Sequence, residues 1–175
     1  MYENEFIQRM QNRIAELSVS ASAVRKQGAG GITTAAREYL KTIDLRKFRT
    51  NTKKKFKSEL NKSTRLLKEK LPQDAKNWGT ARKILNLFLR DILYNRYLCD
   101  YYKYHRIEQW LEVPLDKYVA NGIRREIPAD CIPKWDNIKD LTANESNKFQ
   151  DAANWIARKK KIARVHLDLW YWRNK

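Results

Sequence analysis

Residues 78–98 read WGTARKILNLFLRDILYNRYL. Ile84, Leu85, Leu87, Phe88, Ile92 and Leu93 recur at intervals of three and four, the spacing of a helix. They are too many for the single apolar stripe of a surface helix, so the stretch predicts a central helix from Trp78 to about Leu98. Upstream, Phe6, Ile7, Met10, Ile14 and Leu17 predict an amphipathic helix over residues 4–17. A loop of small residues follows over 18–32, and Thr33 or Thr34 can cap a helix to about Ile43. A further helix spans roughly 52–70, with Phe56, Leu60, Leu66 and Leu67 facing inward and Pro72 beyond its end. Downstream comes a tyrosine-rich stretch, Tyr97 to Tyr104. Pro114 is placed to open a helix that runs to residue 126. Pro128 and Pro133 mark residues 127–144 as a loop. Helices return at about 145–163 and from Val165 to Trp172. The expectation is one all-α domain over residues 1–175, with basic N-terminal helices to residue 70 and a helical core over 71–175.

The composition narrows the partner. The chain has 175 residues, 37 Lys and Arg against 20 Asp and Glu, and a net charge of +17. Its 42% hydrophobic content is enough for a core. The charge is uneven: residues 1–90 carry 21 basic and 8 acidic side chains, residues 91–175 carry 16 and 12. Arg46 to Lys57 holds seven positive charges and no acid, including Lys53, Lys54 and Lys55. Such a field attracts a polyanion and releases its counterions on contact, so nucleic acid is the expected partner. The run lacks the broad apolar face that a membrane surface would require. No stretch approaches the ~20 apolar residues of a membrane span. The first twenty residues lack the pattern of a signal peptide, and the expected setting is cytoplasmic. Cys99 and Cys131 make no disulfide framework and no C-x-x-C pair.

Several chemistries lack their residues. There is no P-loop, no G-x-S-x-G and no carboxylate cluster of the two-metal kind. Cys99 and His105 are six apart, a poor spacing for ligands on one helix, and neither a metal nor a cofactor is expected. Two segments remain. Lys83 lies just after Gly79 in the apolar helix, where burial would lower its pKa and free a nucleophilic amine. On spacing alone the simpler reading is a lysine snorkelling from the helix start, or contacting a phosphate beside Arg82. Asp116, in Glu112-Val113-Pro114-Leu115-Asp116, falls in a helix first turn, whose free N–H groups favour an ionised carboxylate. Such a group can stabilise a sugar cation or activate an amine or water.

Together, the lysine opening an apolar helix after a glycine and the "VPLD" helix start resemble the helix–hairpin–helix DNA glycosylase superfamily, nearest its archaeal 8-oxoguanine glycosylase branch. The resemblance covers about residues 70–172. The chain as a whole also looks like small bacterial or phage-linked proteins, including DNA glycosylases that act against phages with modified bases. It implies that Lys83 is the nucleophile of a bifunctional enzyme and Asp116 the essential carboxylate. The stretch Leu71 to Gly79 departs from the usual L-P-G-x-G hairpin, with one glycine near its end.

A glycosylase takes its base out of the stack into a pocket. Trp78, Trp110, His166 and Asp168 are the candidates to line it. Arg25, Lys26, Gly28, Gly30, Gly31 and Arg82, with the lysines at 53–55, are the candidates to hold DNA. The expected function is therefore a monomeric all-α DNA N-glycosylase leaving an abasic site, on hypermodified (glucosylated hydroxymethyl) cytosine in phage defence. The alternatives are an 8-oxoguanine repair glycosylase/lyase, a non-catalytic basic DNA-binding protein, and an RNA binder.

Overall fold

A computed structural model describes residues 2–25, 30–128, 131–134 and 137–172. All regular structure among them is helical. The helices are α1 (Tyr2–Ser18), α2 (Ile32–Thr42), α3 (Lys53–Lys70), α4 (Trp78–Tyr94), α5 (Arg96–Tyr102), α6 (Lys117–Glu126), α7 (Ala143–Lys159) and α8 (Leu167–Tyr171), joined by several single 3₁₀ turns. None is long and apolar enough to cross a membrane.

Helix α4 is the centre of the molecule. Eleven of its 17 residues are buried, because it packs against α1, α2, α3 and α5 at once. It stops four residues earlier than the apolar period suggests. Asn95 ends α4 and starts α5 in one position, its side chain accepting from the Leu98 N–H, so Leu98 is buried from a new helix axis. Helix α2 begins on Gly31 rather than on Thr33 or Thr34. Gly31 has φ 92°, a left-handed conformation that only glycine adopts without strain. Leu66 on α3 points to solvent, while Phe56, Leu60 and Leu67 are buried as expected. Pro114 is not the first helical residue. The chain is extended through 111–116, and Asp116 is the N-cap of α6.

The apolar interior falls into two clusters. One gathers α1 to α5 around Phe48, Phe56, Phe88 and Tyr104. The other gathers α6, α7 and α8 around Ile123, Phe149, Ile156 and Leu167. Gly79 joins them: a Cβ there would strike the Ile138 carbonyl, so glycine alone lets the 138–141 turn close on the start of α4. The extended segment 111–116 crosses from one cluster to the other, with Leu111 in the first and Val113 in the second.

Candidate functional site

Lys83 belongs to α4 and Asp116 caps α6, and the charge of Asp116 is felt at the Lys83 amine. Lys83 is on the sixth residue of α4, and its Nζ donates to the Ala23 carbonyl at 2.8 Å, in the loop after α1. Burial lowers the Lys83 pKa from the usual lysine value, and the negative charge of Asp116 works against that shift. A lysine so placed has a larger neutral fraction than one in water, and a carboxylate beside it able to steady its charged form.

Asp116 is held by α6. Its Oδ1 accepts the Val119 N–H at 2.9 Å, the ordinary capping bond of an aspartate at a helix start. Its second oxygen is not engaged in that bond. The cap therefore fixes the carboxylate in space without consuming it.

A buried polar network holds the two backbones in register. Arg82, next to Lys83, donates through Nε to Glu112 Oε2 at 2.9 Å, through Nη1 to Thr64 at 2.7 Å and through Nη2 to Asn61 at 2.8 Å. Asn86 adds a bond to Glu112 at 3.2 Å. Gln150 of α7 closes on Val113 from both sides, accepting its N–H at 3.0 Å and donating to its carbonyl at 2.8 Å. Arg164 donates to the Leu111 and Trp110 carbonyls at 2.9 and 2.8 Å. Burial alone would raise the Glu112 pKa. Arg82 and Arg164, with the bonds from Asn86 and Arg82, outweigh it and hold the carboxyl below its usual value. Burial lowers Arg164 from the usual arginine value, with Glu112 opposing. Side chains thus take the Trp110 and Leu111 carbonyls and both polar backbone groups of Val113.

This corrects the reading of Arg82 as a phosphate contact. It is 3% exposed, its guanidinium serves Glu112, Thr64 and Asn61, and its plane lies 5.0 Å from the Trp78 ring centre. Trp78 and Trp110 are likewise committed to packing. Trp78 lies against the second cluster, and Trp110 against Phe56 at 6.3 Å between ring centres. His166 and Asp168 are placed differently. Lys83, Leu87, Arg90 and Tyr94 share one face of α4 by helical spacing. Arg90 pairs with Asp91 at 2.7 Å and with Asp168. Tyr94 bonds His166 Nδ1 at 2.9 Å, and His166 Nε2 meets Glu108 at 2.6 Å. The α4 face that carries Lys83 therefore continues into a shelf of alternating charge, and two of the four expected pocket residues stand on it.

The remaining candidates lie on the surface or outside the described residues. Arg25, Gly30 and Gly31 are exposed on the loop whose Ala23 carbonyl receives Lys83. Lys26 and Gly28 fall outside the described residues. Lys53, Lys54 and Lys55 are exposed in the first turn of α3, where no acid complements the dipole. Cys99, Asp100 and His105 have potential ligand atoms within 4.8 Å of one another. The six-residue spacing misjudged this, because α5 ends at Lys103 in a left-handed turn (φ 56°) that folds His105 back onto Cys99. A groove of about 430 Å³ opens elsewhere, between α1 and α5, beside Gln8, Gln11, Asp44 and Tyr101. Sequence reading missed Glu112, Gln150, Arg164, Arg90, Tyr94 and Glu108. Glu112, Gln150 and Arg164 are buried polar groups, and residue type alone does not set them apart from surface ones.

No family model, no curated protein and no solved structure matches the chain.

Proposed function

We propose that the protein is a DNA N-glycosylase, acting through Lys83 and Asp116 on a nucleotide taken out of the helix. The observation that carries this reading is the pairing itself. Two side chains 33 residues apart in sequence, on different helices, are brought close enough for the Asp116 charge to act on the Lys83 amine, which burial already disposes to lose its proton. A buried lysine with a capped carboxylate beside it suits attack on an electrophilic carbon next to a developing positive charge.

In this mechanism the Asp116 carboxylate stabilises the sugar as it gains cationic character. The neutral Lys83 Nζ attacks C1′. The C1′–base bond breaks, its electron pair leaves with the base, and the base takes up a proton. The nitrogen bound to C1′ gives up one proton; the C1′–O4′ bond then breaks, O4′ takes up a proton, and the nitrogen lone pair forms the C=N bond of an iminium that keeps one N–H, from which the 3′ phosphate can be eliminated. Were water the nucleophile, the product would be an unbroken abasic site and Lys83 would serve as a charged contact. The Arg90–Asp168 pair and the His166 ring supply donors and acceptors to a base entering along α4. The lysines at 53–55, set against the α3 dipole, mark a surface disposed to anions. The finer proposal for the substrate is a modified base, either glucosylated hydroxymethylcytosine of phage DNA or 8-oxoguanine.

The test is abasic-site formation on a panel of DNAs: undamaged, 8-oxoguanine-containing, and phage DNA with hydroxymethylated or glucosylated cytosine. An aldehyde-reactive probe reads the product, with Asp116→Asn as control. Signal on one substrate, lost in the variant, supports the reading and names the base. Silence across the panel with tight binding would leave a non-catalytic DNA-binding protein.

A further inference from the structure

Three tryptophans are exposed on α7 and α8: Trp155 at 47%, Trp170 at 50% and Trp172 at 59%. Leu169 beside them is 55% exposed. Tryptophan carries a large apolar surface, and displaying three on the outer side of two neighbouring helices forfeits burial that the core would reward. Each of two rings holds a cation over it. Lys159 Nζ lies 3.4 Å from the Trp155 ring centre, and Lys160 Nζ lies 4.8 Å from that of Trp170. Arg158 and Lys161 complete four consecutive basic residues at the end of α7.

We propose that this surface is a stacking platform for unpaired bases of a nucleic-acid strand. Flat aromatic rings accept any base face, and Arg158, Lys159 and Lys161 would meet the phosphates between them, Lys160 being paired with Glu126 at 3.2 Å. The charge decides the class of partner: the rings stand among cations on a chain of net charge +17. Asp168 ties α8 to Arg90 of α4, and Trp170, two residues later, is turned to the exposed side of α8. A membrane surface fits less well, because α8 has five residues, too few for the amphipathic face that lies in an interface. The proposal rests on nucleic acid as the ligand named in the preceding subsection, and not on the excision chemistry.

The experiment measures binding of an oligothymidylate by fluorescence anisotropy, in protein carrying Asp116→Asn so that chemistry is silent. Trp155→Ala, Trp170→Ala and Trp172→Ala are added singly and together, and each melting temperature is recorded. Loss of one stacked base weakens binding about 5- to 150-fold. The slope of affinity against salt stays unchanged, because no phosphate contact is removed. Parent-like affinity in the triple variant, with melting unchanged, overturns the platform. So does a parent that binds no oligothymidylate, or variants that lose binding to phosphatidylserine vesicles while keeping that to the oligonucleotide. Excision is scored separately on the parent chain. Tryptophan-dependent binding without excision would retain the platform and refute the glycosylase.

Discussion

Replacing Glu112 by alanine tests the arrangement that holds the candidate site. The side chain is buried against Arg82 and also acts on Arg164, so its removal leaves the Arg82 guanidinium in the interior without its paired carboxylate and Arg164 with Asp151 as its remaining opposite charge. Breaking a buried pair by deleting one partner costs about 3–5 kcal/mol, most of it the stranded charge. For a chain of 175 residues, each kcal/mol lowers Tm by roughly 2–4 °C, so the expected loss is on the order of 10 °C. Scanning calorimetry reads it. Glu112→Gln keeps the shape and some hydrogen bonding, and should fall between parent and alanine. The pH dependence has a definite sign. Glu112 is held below its unfolded value of about 4.5, so its contribution is present above that pH and is lost as pH falls through the folded pKa. The gap between parent and Glu112→Ala should therefore narrow in acid. A Glu112→Ala protein melting within about 2 °C of the parent at neutral pH would refute the claim that this carboxylate balances the two arginines.

Other consequences are as specific. Asp116→Asn should leave Tm nearly unchanged, since asparagine caps as well as aspartate, yet abolish excision; Asp116→Ala should also cost about 1 kcal/mol in thermal melts. Lys83→Gln should remove any covalent product trapped by borohydride, and in the parent the trapping should persist to lower pH than an ordinary lysine allows, because burial lowers its pKa. Neutralising Lys53, Lys54 and Lys55 together should reduce the slope of log K against log salt for duplex binding by up to about 3, while leaving excision at saturating DNA intact. Gly122→Ala should destabilise by several kcal/mol on urea unfolding, because its Cβ would collide with the Tyr171 ring that packs α8 on α6.

The helices were legible because their apolar spacing is regular, and α3 and α4 begin close to where that spacing puts them, capped by Thr52 and Asn77. Breaks were less legible. Asn95 interrupts a period that continues to Leu98 with no proline or glycine to mark it, because its side chain can close one helix start just after another helix ends. The α6 start was displaced for a related reason: Pro114 suits a first helical position, but Asp116 offers a better cap and the chain between them stays extended. Lys83 and Asp116 could be singled out from residue type and local position. That the charge of one acts on the other could not, since it depends on how segment 111–116 is pinned. Arg82 illustrates the limit: an arginine in a basic chain reads as a surface group, and only the distant Glu112, Thr64 and Asn61 make it an interior one.

The pinning of residues 110–116 has a consequence for synthesis. The groups that anchor this segment come late in the chain: Gln150 from α7, and Arg164 beyond it. A nascent protein still on the ribosome, extended only through α6, already contains Lys83 and Asp116 but lacks both anchors. The segment is then held only by chain connectivity and by the bonds of Arg82 and Asn86 to Glu112. On the proposed function, activity would arise as a late event of biogenesis, timed by the emergence of the last helices. A chain cut short at the start of α7 would carry Lys83 and Asp116 without the side chains that pin the segment between them.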